Sequence, residues 1–472
     1  MNYDLILKGG TLVDPLGTAL NGVDLGIRDG KLAAIADTID PSRGDDVYDA
    51  AGLFILPGLI DAHVHFRDPG LTYKEDFGSG SAAAARGGIT TVADMPNTLP
   101  PTAGTGELRE KARAAGEKSY TDFGLFALLT QDNLGEMDAL VREGALGFKV
   151  FLGTSVGNIA APPLGTLYEQ MRRAGPRRIA FHAEDNELNG HFTRLCREIP
   201  GDDPALLPRA RPDISEAEAV ARAIRLAEYT GAAIHICHVS AARSLALIRE
   251  AKRRRLPVSA ETCPQYLFLD SGDYPRLGTR MKVNPPVRSA EDREALWRGI
   301  AEGVIDMIAT DHAPHTAEEK DRPLWEALPG IAGVETSVPL MLTAVNQGRL
   351  SLNDYARIAS LAPARVWGLY PRKGGAGINA DADFTIVDMA RRGVIRNAEL
   401  QSRHRTSPYE GFETLGAPVA ALLRGRFIMK NGVVTGKAGF GRLVRPVNPD
   451  PAEPAAADRS GGTGHALYPP TV

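Results

Sequence analysis

Phe54-Ile55-Leu56-Pro57-Gly58-Leu59-Ile60 is an apolar run that leads directly into Asp61-Ala62-His63-Val64-His65-Phe66-Arg67-Asp68-Pro69-Gly70. The run has the length and content of a buried strand, and residues i and i+2 of a strand point to one side. His63 and His65 are therefore placed to grip one ion at a strand end, with Arg67 continuing their face. Alone, such a pair carries little weight. Its weight comes from repetition along the chain. Lys149 lies in Gly147-Phe148-Lys149-Val150-Phe151-Leu152, His182 in Arg178-Ile179-Ala180-Phe181-His182, His238 in Ala233-Ile234-His235-Ile236-Cys237-His238, and Asp311 in Ile308-Ala309-Thr310-Asp311. Each ends its own apolar run.

Working outward, candidate strands fall at 54–60, 89–95, 121–127, 147–152, 178–183, 233–239, 258–263 and 304–310. Helix-like segments separate them, among them Ser79 to Arg86 and Ser215 to Tyr229, the latter with Ser215 and Glu218 spaced as a capping box. This alternation predicts an α/β fold, a (β/α)8 TIM-like barrel over 56–369. An open doubly wound sheet is the rival, but no glycine fingerprint follows the first strand. The ends have a different texture. Arg28-Asp29-Gly30-Lys31 and Asn431-Gly432 are hairpin signals between strand-like runs. They predict a small β-sandwich domain assembled from 1–55 and 370–446. The tail, 447–472, is poor in apolar residues and is expected to be disordered or to lie on a neighbouring subunit.

The 472 residues carry a formal net charge of −4 and 43% apolar residues, an ordinary globular composition. Neither a basic footprint for nucleic acid nor an apolar run long enough for a membrane span is present. The start, Met1-Asn2-Tyr3-Asp4, has no signal-peptide character, and Cys196, Cys237 and Cys263 are too few and scattered for a disulfide framework. A cytoplasmic protein is expected, with Cys237 and Cys263 as inert core residues.

In a barrel the chemistry lies at the carboxyl ends of the strands. Strict alternation predicts that if His238 points inward, Ile234 and Ile236 share its face and His235 points out toward the helices. If Asp311 points inward, so do Met307 and Ala309, and His312 supports the strand end. Four histidines and an aspartate suit Zn2+ or a similar borderline ion, and five ligands are too many for one tetrahedral ion. They point to two ions that need a bridge. Lys149 is either a carbamylated lysine providing that bridge, because an ammonium beside two dications is repelled, or a charged residue holding an anion at the mouth. The net positive charge of such a centre favours an anionic guest, and Arg67 suits a carboxylate in a two-pronged contact.

From Asp4 to about Pro446 the chain resembles the cyclic amidohydrolases of the amidohydrolase superfamily. Its His63-to-Gly70 pattern is similar to that of dihydroorotases, as are Met95-Pro96-Asn97-Thr98, Lys282-Val283-Asn284-Pro285-Pro286 and Ala309-Thr310-Asp311-His312-Ala313-Pro314-His315. The resemblance implies one ion on His63, His65 and Asp311, a second on His182 and His238, and carbamylated Lys149 between them. It implies Arg67 and Asn97 on the substrate carboxylate with help from Asn284 and His315, backbone groups near Gly330 on the ring amide, and Asp311 as the catalytic proton shuttle. The implied reaction is reversible hydrolysis of dihydroorotate to N-carbamoyl-L-aspartate, in pyrimidine biosynthesis, by a homodimer or homotetramer. Gln265 stands where dihydroorotases commonly have histidine, and Ser407-Pro408-Tyr409-Glu410-Gly411-Phe412-Glu413 is similar to allantoinases and hydantoinases. The rivals are therefore an allantoinase, a hydantoinase or dihydropyrimidinase, and, from another class, a metal-free scaffold that binds a partner enzyme.

Overall fold

The computed structural model describes residues 2–17, 19–153 and 159–447; the expected tail lies almost wholly outside them. Eight parallel strands form the barrel: β1 (Leu59–Val64), β2 (Ile89–Asp94), β3 (Asp122–Leu128), β4 (Gly147–Phe151), β5 (Ile179–His182), β6 (Ile234–Ile236), β7 (Val258–Thr262) and β8 (Met307–Ile308). They pair in sequence order, β1 with β2 through to β7 with β8. Just beyond their ends, Val64 bridges His312, and the His65 N–H donates to the His312 carbonyl at 2.7 Å, which brings β1 beside β8. A side-chain clasp reinforces this seam. Asp61 accepts from the Thr310 backbone N–H at 3.0 Å and from the Thr310 hydroxyl at 2.5 Å.

Two sets of buried apolar side chains show which way each strand faces. Ile60, Ala62, Ala93, Phe126, Ala180, Cys237 and Met307 share one cluster with Trp367. They include residues of strands that do not pair with one another, such as Ile60 of β1, Phe126 of β3 and Ala180 of β5, so they meet inside the barrel. Val92, Leu125, Val150, Ile179, Phe181, Ile234, Ile236 and Ile308 belong to a second, larger cluster with residues of the surrounding helices. This is the period-two alternation of a strand buried on both faces. Trp367 fills the inner cluster, its ring edge-on to Phe126 at 4.7 Å.

The expected strand at 54–60 is two strands. Phe54–Pro57 pairs antiparallel with Phe384–Val387 in the small sheet, and β1 starts only at Leu59. Gly58 is the joint: its N–H donates to the Asp383 carbonyl at 2.7 Å, and a Cβ there would collide with Thr90 and Asp383. The small sheet joins Leu5–Leu12, Leu20–Arg28, Lys31–Ala36 and Phe54–Pro57 from one end of the chain to Phe384–Val394, Glu413–Leu423 and Arg426–Lys430 from the other. It is one continuous mixed sheet, and side chains from both arms, such as Leu25, Ile27, Phe384 and Leu422, share a core. Both hairpin signals form turns, with Asp29 at φ 52° and Asn431 at φ 50°.

The helix at Phe77–Arg86 starts on Asp76, whose side chain caps Ser79. The capping box at Ser215 and Glu218 does not form. That helix runs Asp213–Thr230, and Ser215 lies inside its first turn, donating to the Asp185 carbonyl at 3.0 Å. No helix among the described residues is long and apolar enough to cross a membrane.

Candidate active site

The carboxyl ends of the strands open into a cleft of about 420 Å3, its open mouth included, walled by His63, His65, Arg67, Asn97, Phe151, His182, His238, Asn284, Asp311 and Gly330 among others. Residues separated by up to 267 positions in sequence thus share one space. Lys149 is fully buried beneath them, and its charge bears on His63, His182 and His238 alike.

Strict alternation does not carry the side chains there. His235 points inward, not outward: its Nε2 meets Glu261 at 3.0 Å, its Nδ1 meets Ser259 at 2.9 Å, and its ring packs on Trp367. Ile234 and Ile236 take the outer face. His238 reaches the cleft because its backbone is left-handed, φ 37°, which breaks the alternation after Cys237. Asp311 (φ 48°) and Arg67 (φ 62°) turn in the same way. Non-glycine residues rarely adopt this region, and such strain concentrates at functional sites. On β1 an irregularity in pairing between Asp61 and Val64 shifts the phase, so Ala62 is inside the barrel while His63 still faces the cleft. Cys237 is buried as expected but not isolated: its sulfur lies 3.0 Å from Lys149 Nζ.

Hydrogen-bond partners fix which nitrogen His63, His65 and His182 present. His63 Nδ1 bonds Glu261, leaving Nε2 turned to Asp311 Oδ1 at 3.4 Å. His65 Nδ1 bonds Asn97 Oδ1 at 2.6 Å, leaving Nε2 at 3.1 Å from the same carboxylate oxygen. His182 Nε2 bonds Glu184 at 2.9 Å, and Arg211 grips Glu184 through Nε at 3.0 Å and Nη2 at 2.5 Å. His182 Nδ1 is then bare, 3.0 Å from His238 Nε2. The nitrogens facing the Asp311 carboxylate, and the two facing each other, need either a proton or a cation between them. Two ligands at zinc-like bond lengths on one tetrahedral ion lie roughly 3.4 Å apart, close to these separations. The donors are imidazoles and a carboxylate, and His63, His65 and His182 are each oriented by an acceptor behind the ring, as metal-bound histidines are, while His238 Nδ1 has no partner. The residues therefore fit a pair of divalent cations. Charge agrees. Burial and Lys149 push His63 down, but Glu261 and Asp311 outweigh them and raise it to about 10. That is the negative potential a cation would meet. Burial takes His65 down to about 3, with Asp311 offsetting only part.

Glu261 and Glu184 were not among the residues expected from sequence. Their signal was an acidic side chain in an otherwise apolar strand, Val258-Ser259-Ala260-Glu261, and one two residues past His182.

On the substrate side, Arg67 is 1% exposed, and its Nε and Nη1 have no partner. Burial takes the guanidinium down to about 10, still charged at neutral pH. Asn284 Oδ1 is likewise unpaired. Gly330 lines the cleft, but its N–H already donates to the Lys282 carbonyl at 2.9 Å and its carbonyl accepts from Lys320 Nζ at 2.8 Å. A side chain at Gly330 would strike the Ala313 carbonyl. His315 is not on the cleft wall. It stands behind Arg67, 3.4 Å from Nη2, and burial, with the nearby Arg67, Lys74 and Lys320 charges, takes it down to about 3, so the ring is neutral. His312 stays out of the cleft, accepting from the Gly333 N–H at 3.2 Å and approaching Glu75 at 3.5 Å.

Residues 54–437 match the model of the amidohydrolase family. The chain belongs to that family, among its cyclic amidohydrolases. It is 39% identical to the dihydroorotase of Methanothermobacter thermautotrophicus over 89% of this chain and 94% of that one. It is 37% identical to the allantoinase of Deinococcus radiodurans, over 94% and 99%. Among solved structures it superposes on L-hydantoinase (dihydropyrimidinase) from Arthrobacter aurescens with a TM-score of 0.91, at 35% identity, covering 94% of this chain and 100% of that one. Similar overall identity to proteins of three different names leaves the substrate to the site itself.

Proposed function

We propose that this protein is a dihydroorotase, hydrolysing dihydroorotate reversibly to N-carbamoyl-L-aspartate. The observation that carries the reading is Arg67, a fully buried cation in the cleft wall with Nε and Nη1 unpaired. A buried charge without a partner is costly, so its retention calls for a ligand group that pairs with it. A ring carboxylate does so with charge-assisted hydrogen bonds. An uncharged ring would cover Arg67 and leave it unpaired.

In this reading His63, His65 and Asp311 would hold one Zn2+ ion and His182 and His238 a second, with Lys149, as a carbamate, supplying a further anionic ligand. Bound there, the ions supply Lewis-acid polarisation of the ring carbonyl and an acidified water. The chain's own groups do the rest. Arg67 and Asn97 anchor the carboxylate so that the scissile amide is held over the histidines, and Asn284 contacts the ring. Asp311, whose carboxyl is held low despite burial by the neighbouring His63, His65 and His238, is ionised and able to take a proton from the water and deliver it to the departing ring nitrogen. Water adds across the C–N bond, giving a carboxylate and a ureido group.

Zinc-loaded protein assayed against dihydroorotate, allantoin, hydantoin and dihydrouracil tests this. The expected result is ring opening of dihydroorotate with the highest kcat/KM. Opening of allantoin or hydantoin with dihydroorotate inert would overturn it.

A further inference from the structure

Arg67 could have been satisfied from within the protein, because His315 Nε2 is 3.4 Å from its Nη2. Whether that nitrogen accepts depends on which side of the ring carries the proton, and the neighbours of His315 are arranged in two competing pairs. In one tautomer, Nε2–H donates to the Pro329 carbonyl at 3.0 Å while Nδ1 accepts from Lys74 Nζ at 3.1 Å. In the other, Nδ1–H faces Glu319 Oε2 at 3.4 Å while Nε2 accepts from Arg67 at 3.4 Å. The first pair is the shorter. A lysine ammonium has donors and no acceptor, so with Lys74 in place Nδ1 must be bare. Lys74 is itself held there, buried, by Glu319 Oε1 at 3.0 Å. Glu319 is committed elsewhere as well, taking the Tyr73 hydroxyl at 3.1 Å and the Thr316 N–H at 3.1 Å.

We infer that Lys74 is a positioning residue: by holding His315 in its Nε2–H tautomer it denies Arg67 an internal acceptor and keeps the guanidinium available for an anionic substituent on the substrate ring. The last clause rests on the proposed function; the tautomer does not. Without Lys74, the proton can move to Nδ1 and donate to Glu319, and Arg67 then closes onto Nε2, in competition with substrate.

The test is magic-angle-spinning NMR of protein labelled with 15N-histidine, the His315 signals assigned by difference from His315→Gln. The wild type should show a pyridine-type Nδ1 and a pyrrole-type Nε2 at this ring. The reverse pattern would overturn the inference whatever the enzyme's substrate. Lys74→Met should exchange the two signals, and Lys74→Arg, which still donates, should keep the wild-type pattern; a Lys74→Met spectrum identical to wild type would also overturn it. In kinetics, Lys74→Met should raise KM for dihydroorotate about tenfold, the worth of one competing hydrogen bond, with kcat little changed and Lys74→Arg restoring KM. Unchanged KM in Lys74→Met counts against the inference. If wild type does not open dihydroorotate at all, the functional reading fails while the tautomer is still decided by the spectrum.

Discussion

Lys149 Nζ lies 3.0 Å from Cys237 Sγ, fully buried and close enough for its charge to act on His63, His182 and His238. An ammonium there adds positive charge where two cations would bind, whereas a carbamate adds an anionic bridge. Lys149→Ala should therefore lose bound metal and lower activity by at least about a hundredfold, the upper end of what a lost supporting group costs a metal site. Formate or acetate, filling the vacated space with a carboxylate, should restore part of both. Full metal content and activity in Lys149→Ala, measured by elemental analysis and turnover, would refute the bridging role.

Glu261 joins His63 to His235 and so decides which nitrogen His63 turns to the cleft. Glu261→Gln keeps the shape but offers one acceptor in place of two. Zinc affinity, measured by competition with a chelator, should fall by about 10–100-fold. Unaltered affinity would mean that packing alone orients the ring.

Arg67→Met replaces an unpaired buried cation with an apolar side chain of similar length. KM for dihydroorotate should rise by roughly 10–100-fold, the value of a charged hydrogen bond. The free protein should become more stable, by about 1–3 kcal/mol in denaturant titration, because an uncompensated charge has left the interior. A destabilised variant would show that Arg67 is satisfied internally.

Lys373 Nζ bonds Asp122 at 2.7 Å, Asp383 at 2.5 Å and Asp381 at 3.3 Å, tying the start of β3 to the small sheet. Together the carboxylates have the spacing of a metal site, but the ammonium occupies their centre. Lys373→Met should cost about 3–5 kcal/mol, since it strands buried charges. Burial would raise Asp122, yet Lys373 and Arg424 prevail and hold it low. A depressed carboxyl contributes stability that is complete above its unfolded value, about 3.9, and is lost as pH falls toward the folded one. Lys373→Met, which removes one of those cations, should move the acid-unfolding midpoint to higher pH. An unmoved midpoint would place the stabilisation elsewhere.

Much of this molecule was legible in its residues. Strand-length apolar runs, each ending in His63, His182, His238 or Asp311, sufficed for the barrel and for the residues at its mouth, because burial on both faces demands continuous apolar strands and chemistry must sit where they end. The hairpins at Asp29 and Asn431 were equally local, since few residues tolerate φ > 0. Phe54 to Ile60 looked like one strand because apolar content alone cannot tell which sheet a residue joins; the contacts of Gly58 with Asp383, more than 300 positions away, divide it.

What the sequence by itself determined was therefore which residues can form strands and which carry reactive groups, both properties of short segments. Only the tertiary structure decided which way those groups face. Left-handed backbone at Arg67, His238 and Asp311 overrides alternation, and it persists because packing from distant elements holds it. The same holds for Glu261 against His63 and for the unpaired state of Arg67: each is a relation between side chains far apart in sequence, set by the closure of the barrel.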